Sequence, residues 1–185
     1  MLCVFLALPW VDTSGKIPSD AVVIFDGTNT DMLIAQDGSA FNWDVVNGAI
    51  VVKPGQQERQ QGLWAKLHFR DAQIHVEFAV PKSDKTGSAA ANSGLYFHGL
   101  FEVQIIDSYR NPTEDKENVG SMYNIRPPLV NAACPTDTWQ SYDIIFAAPR
   151  RNEAGEVETA GSITVFLNGV LVQYNTPITI TQSIY

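Results

Sequence analysis

The stretch whose reading decides the fold is Asn92-Ser93-Gly94-Leu95-Tyr96-Phe97-His98-Gly99-Leu100-Phe101-Glu102-Val103-Gln104-Ile105-Ile106-Asp107-Ser108-Tyr109. Leu95 and Phe97 alternate with Tyr96 and His98, and Val103 and Ile105 alternate with Glu102 and Gln104. Period-two alternation on both sides of a glycine is the mark of a β-hairpin with one apolar face. The loop length then sets the neighbours. A two-residue loop at Gly99-Leu100 pairs Tyr96 with Val103 and mixes the faces. A three-residue loop, Gly99-Leu100-Phe101, pairs His98 with Glu102, Tyr96 with Gln104, Leu95 with Ile105 and Phe97 with Val103. The second register keeps the faces apart and is the one expected. It gathers an imidazole, a phenol, a carboxylate and a carboxamide into one cross-strand patch, the inventory of a carbohydrate site. A solvated sheet face is usually richer in Lys, and no Lys or Arg lies between Asn92 and Tyr109.

The same strand sets a carboxylate spacing, Glu102-x-Gln104-x-x-Asp107. It resembles the bulged E-x-D-x-x-E strand of laminarinase-type glucanases, with an amide in the middle and a shorter final acid. A bulge after Gln104 would turn Asp107 onto the face of Glu102, whereas an unbulged strand sends it to the other face. Carboxyls about 5–5.5 Å apart suit a nucleophile and an acid/base pair. The alternative for Asp107 is an Asx turn into Ser108-Tyr109.

Further strands are predicted at 21–25, 43–46, 49–52, 63–67, 73–80, 140–147, 162–167 and 170–174. Asn47-Gly48 and Asn168-Gly169 read as primed hairpin turns, in which both residues adopt positive φ. No stretch has helical periodicity over ten residues. Many short strands with Gly/Asn turns imply an all-β antiparallel sandwich. Residues 82–91 and 110–128 read as loops, and 150–160 as a solvated hairpin tip. Trp139, opening a strand, is expected in the core, and Asp26 in a turn. His75 and Glu77, on a strand with Ile74, Val76 and Phe78 turned the other way, either extend the polar face or lie on a rim.

The chain has 185 residues, 45% hydrophobic and 17% charged, which describes one core-forming domain. A net charge of −8 argues against nucleic acid or anionic lipid as a partner, since both call for clustered cations. There is no apolar run long enough for a transmembrane helix. Residues 1–18 read as an apolar and linker segment, either the remnant of a leader or a misplaced start, with the domain at 19–185. The cysteines, Cys3 and Cys134, leave a disulfide open. No His spacing suggests a metal site, and no dinucleotide fingerprint is present.

Ordered words carry a family resemblance. They are Ile24-Phe25-Asp26-Gly27, Trp43 to Val52, Asn92 to Phe97, Glu102 to Tyr109, Pro127 to Ala132, Trp139 to Phe146, and Val165 to Gln173. Together they resemble the 3-keto-disaccharide hydrolase family over about Ser19 to Pro177. Leu33 stands where that family usually has Trp, and Arg70 and Ala72 where it has Gly and an aromatic. Its closing Q-D-H-G…R-N-I-W segment does not follow. The resemblance implies a concanavalin A-like lectin/glucanase jelly roll, incomplete at the C-terminus, and cleavage of 3-keto-glycosides. It implies Glu102, Asp107 and His98 as catalytic groups, with Tyr96, Gln104, Asn92 and Tyr123 on the sugar. No cofactor is expected. The partners would be a carbohydrate and a separate oxidoreductase that makes the 3-keto sugar, in the periplasm or outside the cell. The rival expectation is a non-catalytic carbohydrate-binding module on the same sandwich.

Overall fold

The computed structural model describes residues 2–7, 17–52, 62–82, 91–113 and 115–179. These residues form strands and turns and no helix, so no helix is long and apolar enough to cross a membrane. The strands are β1 (Leu2–Ala7), β2 (Val22–Val23), β3 (Leu33–Ala35), β4 (Asp44–Val46), β5 (Ala49–Val51), β6 (Leu63–Ala65) and β7 (Asp71–Ala79). They continue with β8 (Ser93–Phe97), β9 (Phe101–Ile105), β10 (Trp139–Ala147), β11 (Arg150–Arg151), β12 (Val157–Thr159), β13 (Gly161–Leu167) and β14 (Val170–Ile178). The expected loop at 82–91 lies mostly outside the described residues.

One large antiparallel sheet runs β14-β13-β10-β7-β1-β5-β4, with β2 paired to β1. Its inner face alternates cleanly: Ile74, Val76 and Phe78 from β7, Tyr142, Ile144 and Phe146 from β10, and Ile163, Val165 and Leu167 from β13. They pack against Phe97, Phe101, Val103 and Ile105 of the β8–β9 hairpin, which closes the main core as an opposing layer. Two apolar faces buried against each other make the expected antiparallel β-sandwich. A smaller core of Ile24, Phe25, Leu33 and Ile50 lies beside it. Here Asp26 is the turn residue it was expected to be, accepting from the backbone N–H groups of Thr28 and Asn29.

Both predicted primed turns are present, with φ of 51° and 76° at Asn47-Gly48 and 54° and 77° at Asn168-Gly169. The turn at Asn168 also ties elements together. Its side-chain oxygen accepts from Ser141 N at 3.0 Å, and its amide donates to Ala132 O at 2.9 Å.

Two expectations are corrected and two open alternatives are decided. Leu2–Ala7 is not a linker: it forms β1, paired along six positions with β7 and filling the place between β7 and β5. The rest of the 1–18 segment up to residue 16 lies outside the described residues. Cys134 is a free thiol, so the open disulfide is not formed. Trp139 is exposed, because the β10 alternation puts Gln140, Tyr142, Ile144 and Phe146 inward and Trp139 outward. His75 and Glu77 lie on the outer face of the large sheet, opposite in phase to Ile74, Val76 and Phe78, and do not extend the face of Glu102.

On that outer face, His75 Nδ1 lies 2.7 Å from Asp143 Oδ1, with Glu77 3.9 Å from the other ring nitrogen. The hydrogen bond to Asp143 raises the imidazole pKa above its ordinary value, against the opposing effect of burial. A raised folded-state value means that the pair stabilises fully below the unfolded value of 6.5 and loses its contribution as pH rises through the folded value. Asp143→Asn should therefore lower the melting temperature at pH 5.5 and much less at pH 9. Equal losses at both pH values would show that the pair contributes no protonation-linked stability.

Candidate functional site

The β8–β9 hairpin pairs Phe97 with Phe101, Tyr96 with Glu102, Leu95 with Val103 and Gly94 with Gln104. The loop is His98-Gly99-Leu100, two positions out of step with the expected register. The physical reason is the turn. His98 and Gly99 have φ of 53° and 67°, and Leu100 N donates to Phe97 O at 3.0 Å. A primed turn needs two residues at positive φ, which His and Gly accept more readily than Gly and Leu. The shift of two preserves the face separation, because it is an even number. Tyr96, Glu102 and Gln104 still share one face, now with Tyr96 directly opposite Glu102.

His98 leaves that group. Its Nε2 donates to Phe69 O at 3.0 Å, and its ring meets Phe146 edge-on with centroids 5.1 Å apart. The expected His98–Glu102 pairing is therefore corrected: His98 belongs to the end of the sandwich.

The other edge of β9 is covered by a strand-like segment within the expected loop at 110–128. Val103 bridges to Met122, Tyr123 N donates to Glu102 O, and Gln104 N donates to Ser121 O, the last two at 3.1 Å. Gly120 N also donates to Gln104 O at 3.1 Å, so Gly120 and Ser121 together oppose Gln104. This is a bulge with glycine at positive φ (79°). A bulge was expected in β9; it stands instead in the strand-like segment beside it. Met122 packs in the main core, so alternation places Ser121 beside Gln104 and Tyr123 beside Glu102 on the face turned away from it. Asn92, in phase with Gly94 and Tyr96, is exposed just ahead of β8.

Two rows result. Tyr96, Glu102 and Tyr123 form one, and Gly94, Gln104 and Ser121 the next. Glu102 is 4% exposed. Burial raises its pKa above the ordinary 4.5, and the Tyr96 side-chain hydrogen bond opposes that shift. The Gln104 side-chain oxygen accepts from Ile105 N at 3.1 Å, which directs its amide nitrogen away from the backbone. That nitrogen and the Ser121 hydroxyl are the two buried side-chain polar atoms without a hydrogen-bond partner among the described residues. Unsatisfied buried groups are uncommon and call for a reason. Here they are cross-strand neighbours, one row from a carboxyl with raised proton affinity. Ser121 was missed because the bulge breaks period two, and only Met122-Tyr123 alternates visibly.

Asp107 lies just beyond the end of β9. The β8–β9 ladder ends at Ile105, and Ile105 and Ile106 both enter the main core, so the alternation breaks there. The Asp107 carboxylate accepts from Tyr109 N at 3.3 Å, the Asx turn that was the alternative reading. Among the described residues no three His, Cys, Asp or Glu are grouped to hold a metal.

A β-sandwich whose opposing layer presents a buried carboxyl, a phenol, a carboxamide and a hydroxyl is a framework of the glycoside hydrolase type. The chain belongs to the 3-keto-alpha-glucoside-1,2-lyase-like domain family, whose model matches residues 20–183. It is similar to a solved structure from Parabacteroides distasonis ATCC 8503, described as "a putative glycosyl hydrolase". The two are 38% identical with a TM-score of 0.78, over 87% of this chain and 67% of that one. No curated protein matches the chain.

The close approach between the two rows is testable. A methyl group on Gly94 would lie 2.6 Å from Glu102 Cγ and Cδ, and nearer still to its carboxylate oxygen. Gly94→Ala should destabilise by about 1–3 kcal/mol, the usual cost of overpacking, and Glu102→Ala in the same chain should recover most of the loss. Chemical denaturation of the three variants measures this. Additive losses would show that the two residues do not share the space.

Proposed function

We propose that the domain cleaves the glycosidic bond of 3-keto-glycosides or 3-keto-disaccharides by elimination followed by hydration, with Glu102 as the base. A ketone at C3 acidifies the proton at C2. Glu102 takes that proton, and the electron pair moves into the C2–C3 enolate. Collapse of the enolate restores the ketone, forms the C1–C2 double bond and expels the C1 oxygen with a proton from an acid. Water then adds at C1. The Gln104 amide and the Tyr96 hydroxyl serve as donors to the enolate oxygen and the ring hydroxyls. Ser121 joins them as a hydroxyl partner, and Asn92 and Tyr123 flank the sugar. Asp107 is the second carboxylate, one break of alternation away, and the place for an acid. His98 has no part in this reading, since its ring is committed to Phe69 and Phe146.

The observation that carries the reading is the row of Tyr96 and Glu102 beside two buried, unpartnered polar atoms. A carboxylate whose proton affinity is raised by burial is a stronger base than one in water. Donors without a protein partner suit charge that exists only while substrate reacts. Family membership supports the substrate class, and the neighbour described as a glycosyl hydrolase supports the bond type. The reading places a separate oxidoreductase upstream to supply the ketone, and a periplasmic or extracellular site of action.

Purified protein should release aglycone from a 3-keto-glucoside and leave the parent glucoside intact, because the unactivated C2 proton is far less acidic. Glu102→Gln should lower kcat by about 10²–10⁴, the usual weight of a general base, and change KM much less. The acidic limb of the pH–rate profile should lie above the ordinary carboxylate range, since Glu102 must be ionised to act and its pKa is raised. Sugar affinity without turnover in either form would favour the binding-module alternative. Equal cleavage of both glucosides would favour a two-carboxylate glycosidase.

A further inference from the structure

A cleft lies at the end of the sandwich, where the β8–β9 turn meets the start of β7 and the β10–β11 connection. It has a volume of about 250 Å³ and is lined by Phe69, Arg70, His98, Leu100, Phe101, Ala148, Pro149 and Arg151. Phe69, Leu100, Phe101, Ala148 and Pro149 make its walls apolar, and two guanidinium groups with one imidazole stand among them. In a chain of net charge −8, two arginines on one small cleft are a local reversal of sign.

The charge balance there is specific. Arg150, next in sequence to Arg151, is neutralised by Asp71, which also accepts from Ala148 N at 3.0 Å. Asp71 is thus engaged. Arg151 donates through Nη1 to Gly155 O, within its own hairpin. That bond fixes the guanidinium and leaves other N–H groups for a ligand, without reducing its charge. Arg70 has no ion pair among the described residues, and its field is felt at Asp71. Across the hairpin, Glu156 is held by Asn152. His98 is fixed on the rim in a left-handed backbone conformation, with Nε2 donating to Phe69 O, which leaves Nδ1 as the ring's other polar atom. A non-glycine residue held at positive φ, with its ring immobilised between two phenylalanines, is a pre-ordered group.

We propose that this cleft binds a small oxyanion, a phosphate or carboxylate group, carried on a compact apolar or ring-shaped body. The guanidinium pair takes the anion by charge-assisted hydrogen bonds. The apolar walls take the body, and His98 Nδ1 meets a polar group on it. Geometrically the cleft is distinct from the face of Glu102: His98 and Phe101 belong to the turn and the core side of the hairpin, and Glu102 to the other side.

The test is calorimetric or NMR titration of the whole chain at low ionic strength with phenyl phosphate, benzoate, inorganic phosphate and benzyl alcohol. Saturable binding of phenyl phosphate or benzoate, tighter than inorganic phosphate, and none of benzyl alcohol is the expected result. Which of the first two binds more tightly decides between a phosphate and a carboxylate ligand. Arg70→Gln and Arg151→Gln should each weaken binding about tenfold, and the double variant should abolish it. Arg110→Gln, over the Tyr109 ring elsewhere, should leave it unchanged. Glu102→Gln should also leave it unchanged, which separates this cleft from the proposed hydrolase site. Absence of saturable binding, or binding undiminished in the Arg70/Arg151 double variant, would overturn the proposal.

Discussion

The Tyr142 hydroxyl reaches across the main core and donates to Gln104 O at 2.5 Å. Most of what positions the candidate site follows from that bond. Tyr142 is fully buried in β10, at the centre of the large sheet, and burial keeps its phenol protonated by raising its pKa. It is therefore a permanent donor. Its acceptor is the backbone of the residue at which the bulge occurs, so one side chain links the large sheet to the spot where the opposing layer changes phase. Gln104 O is shared with Gly120 N, and a carbonyl has two lone pairs for two donors.

From β14 a second side chain completes the arrangement. Gln173 is buried, and its amide donates to Gly120 O and Pro127 O, each at 3.0 Å, while its oxygen accepts from Thr176 at 2.9 Å. The segment bearing Ser121 and Tyr123 is thus held from beneath at Gly120. A methyl group at Gly120 would press on Val172 Cγ2 at 3.0 Å, and the positive φ independently favours glycine. Further along, Ser108 accepts from Val119 N, and Asn131 donates to Ser108 O and Asn111 O. A connection between strands that looks long in sequence is fixed by side-chain to backbone bonds, which is what a rigid site wall requires.

These interactions explain what was legible in the sequence. The sandwich was legible because Ile74, Val76, Phe78 and Tyr142, Ile144, Phe146 alternate without interruption, and both Asn-Gly turns announce their own backbone angles. The face shared by Tyr96, Glu102 and Gln104 was legible because parity survives an even register shift. The register itself was not, because the choice between a His98-Gly99-Leu100 and a Gly99-Leu100-Phe101 loop turns on which residues tolerate positive φ, and alternation does not distinguish two registers of the same parity. The role of Ser121 was hidden by the bulge. The words Val165 to Gln173 and Pro127 to Ala132 stand out as family words, and the structure supplies their physical content: the first turns a hairpin and grips the loop, the second is part of what it grips.

Glu102 stands against this rigidity as a cost. Its burial disfavours the ionised form, so the folded chain binds a proton more tightly there than the unfolded chain does. By linkage the stability contributed by this group falls as pH rises from its unfolded value through its higher folded one, the reverse of a salt-bridged carboxylate. Nothing in packing the core requires an acid at that position, since the core side of β9 is already filled by Phe101, Val103 and Ile105. Gly94 has no side chain, which leaves the space the carboxyl occupies. A residue that weakens the fold above its own pKa, seated against a phenol directly opposite it and in the space left by a glycine diagonal to it, is not accounted for by the stability of the sandwich.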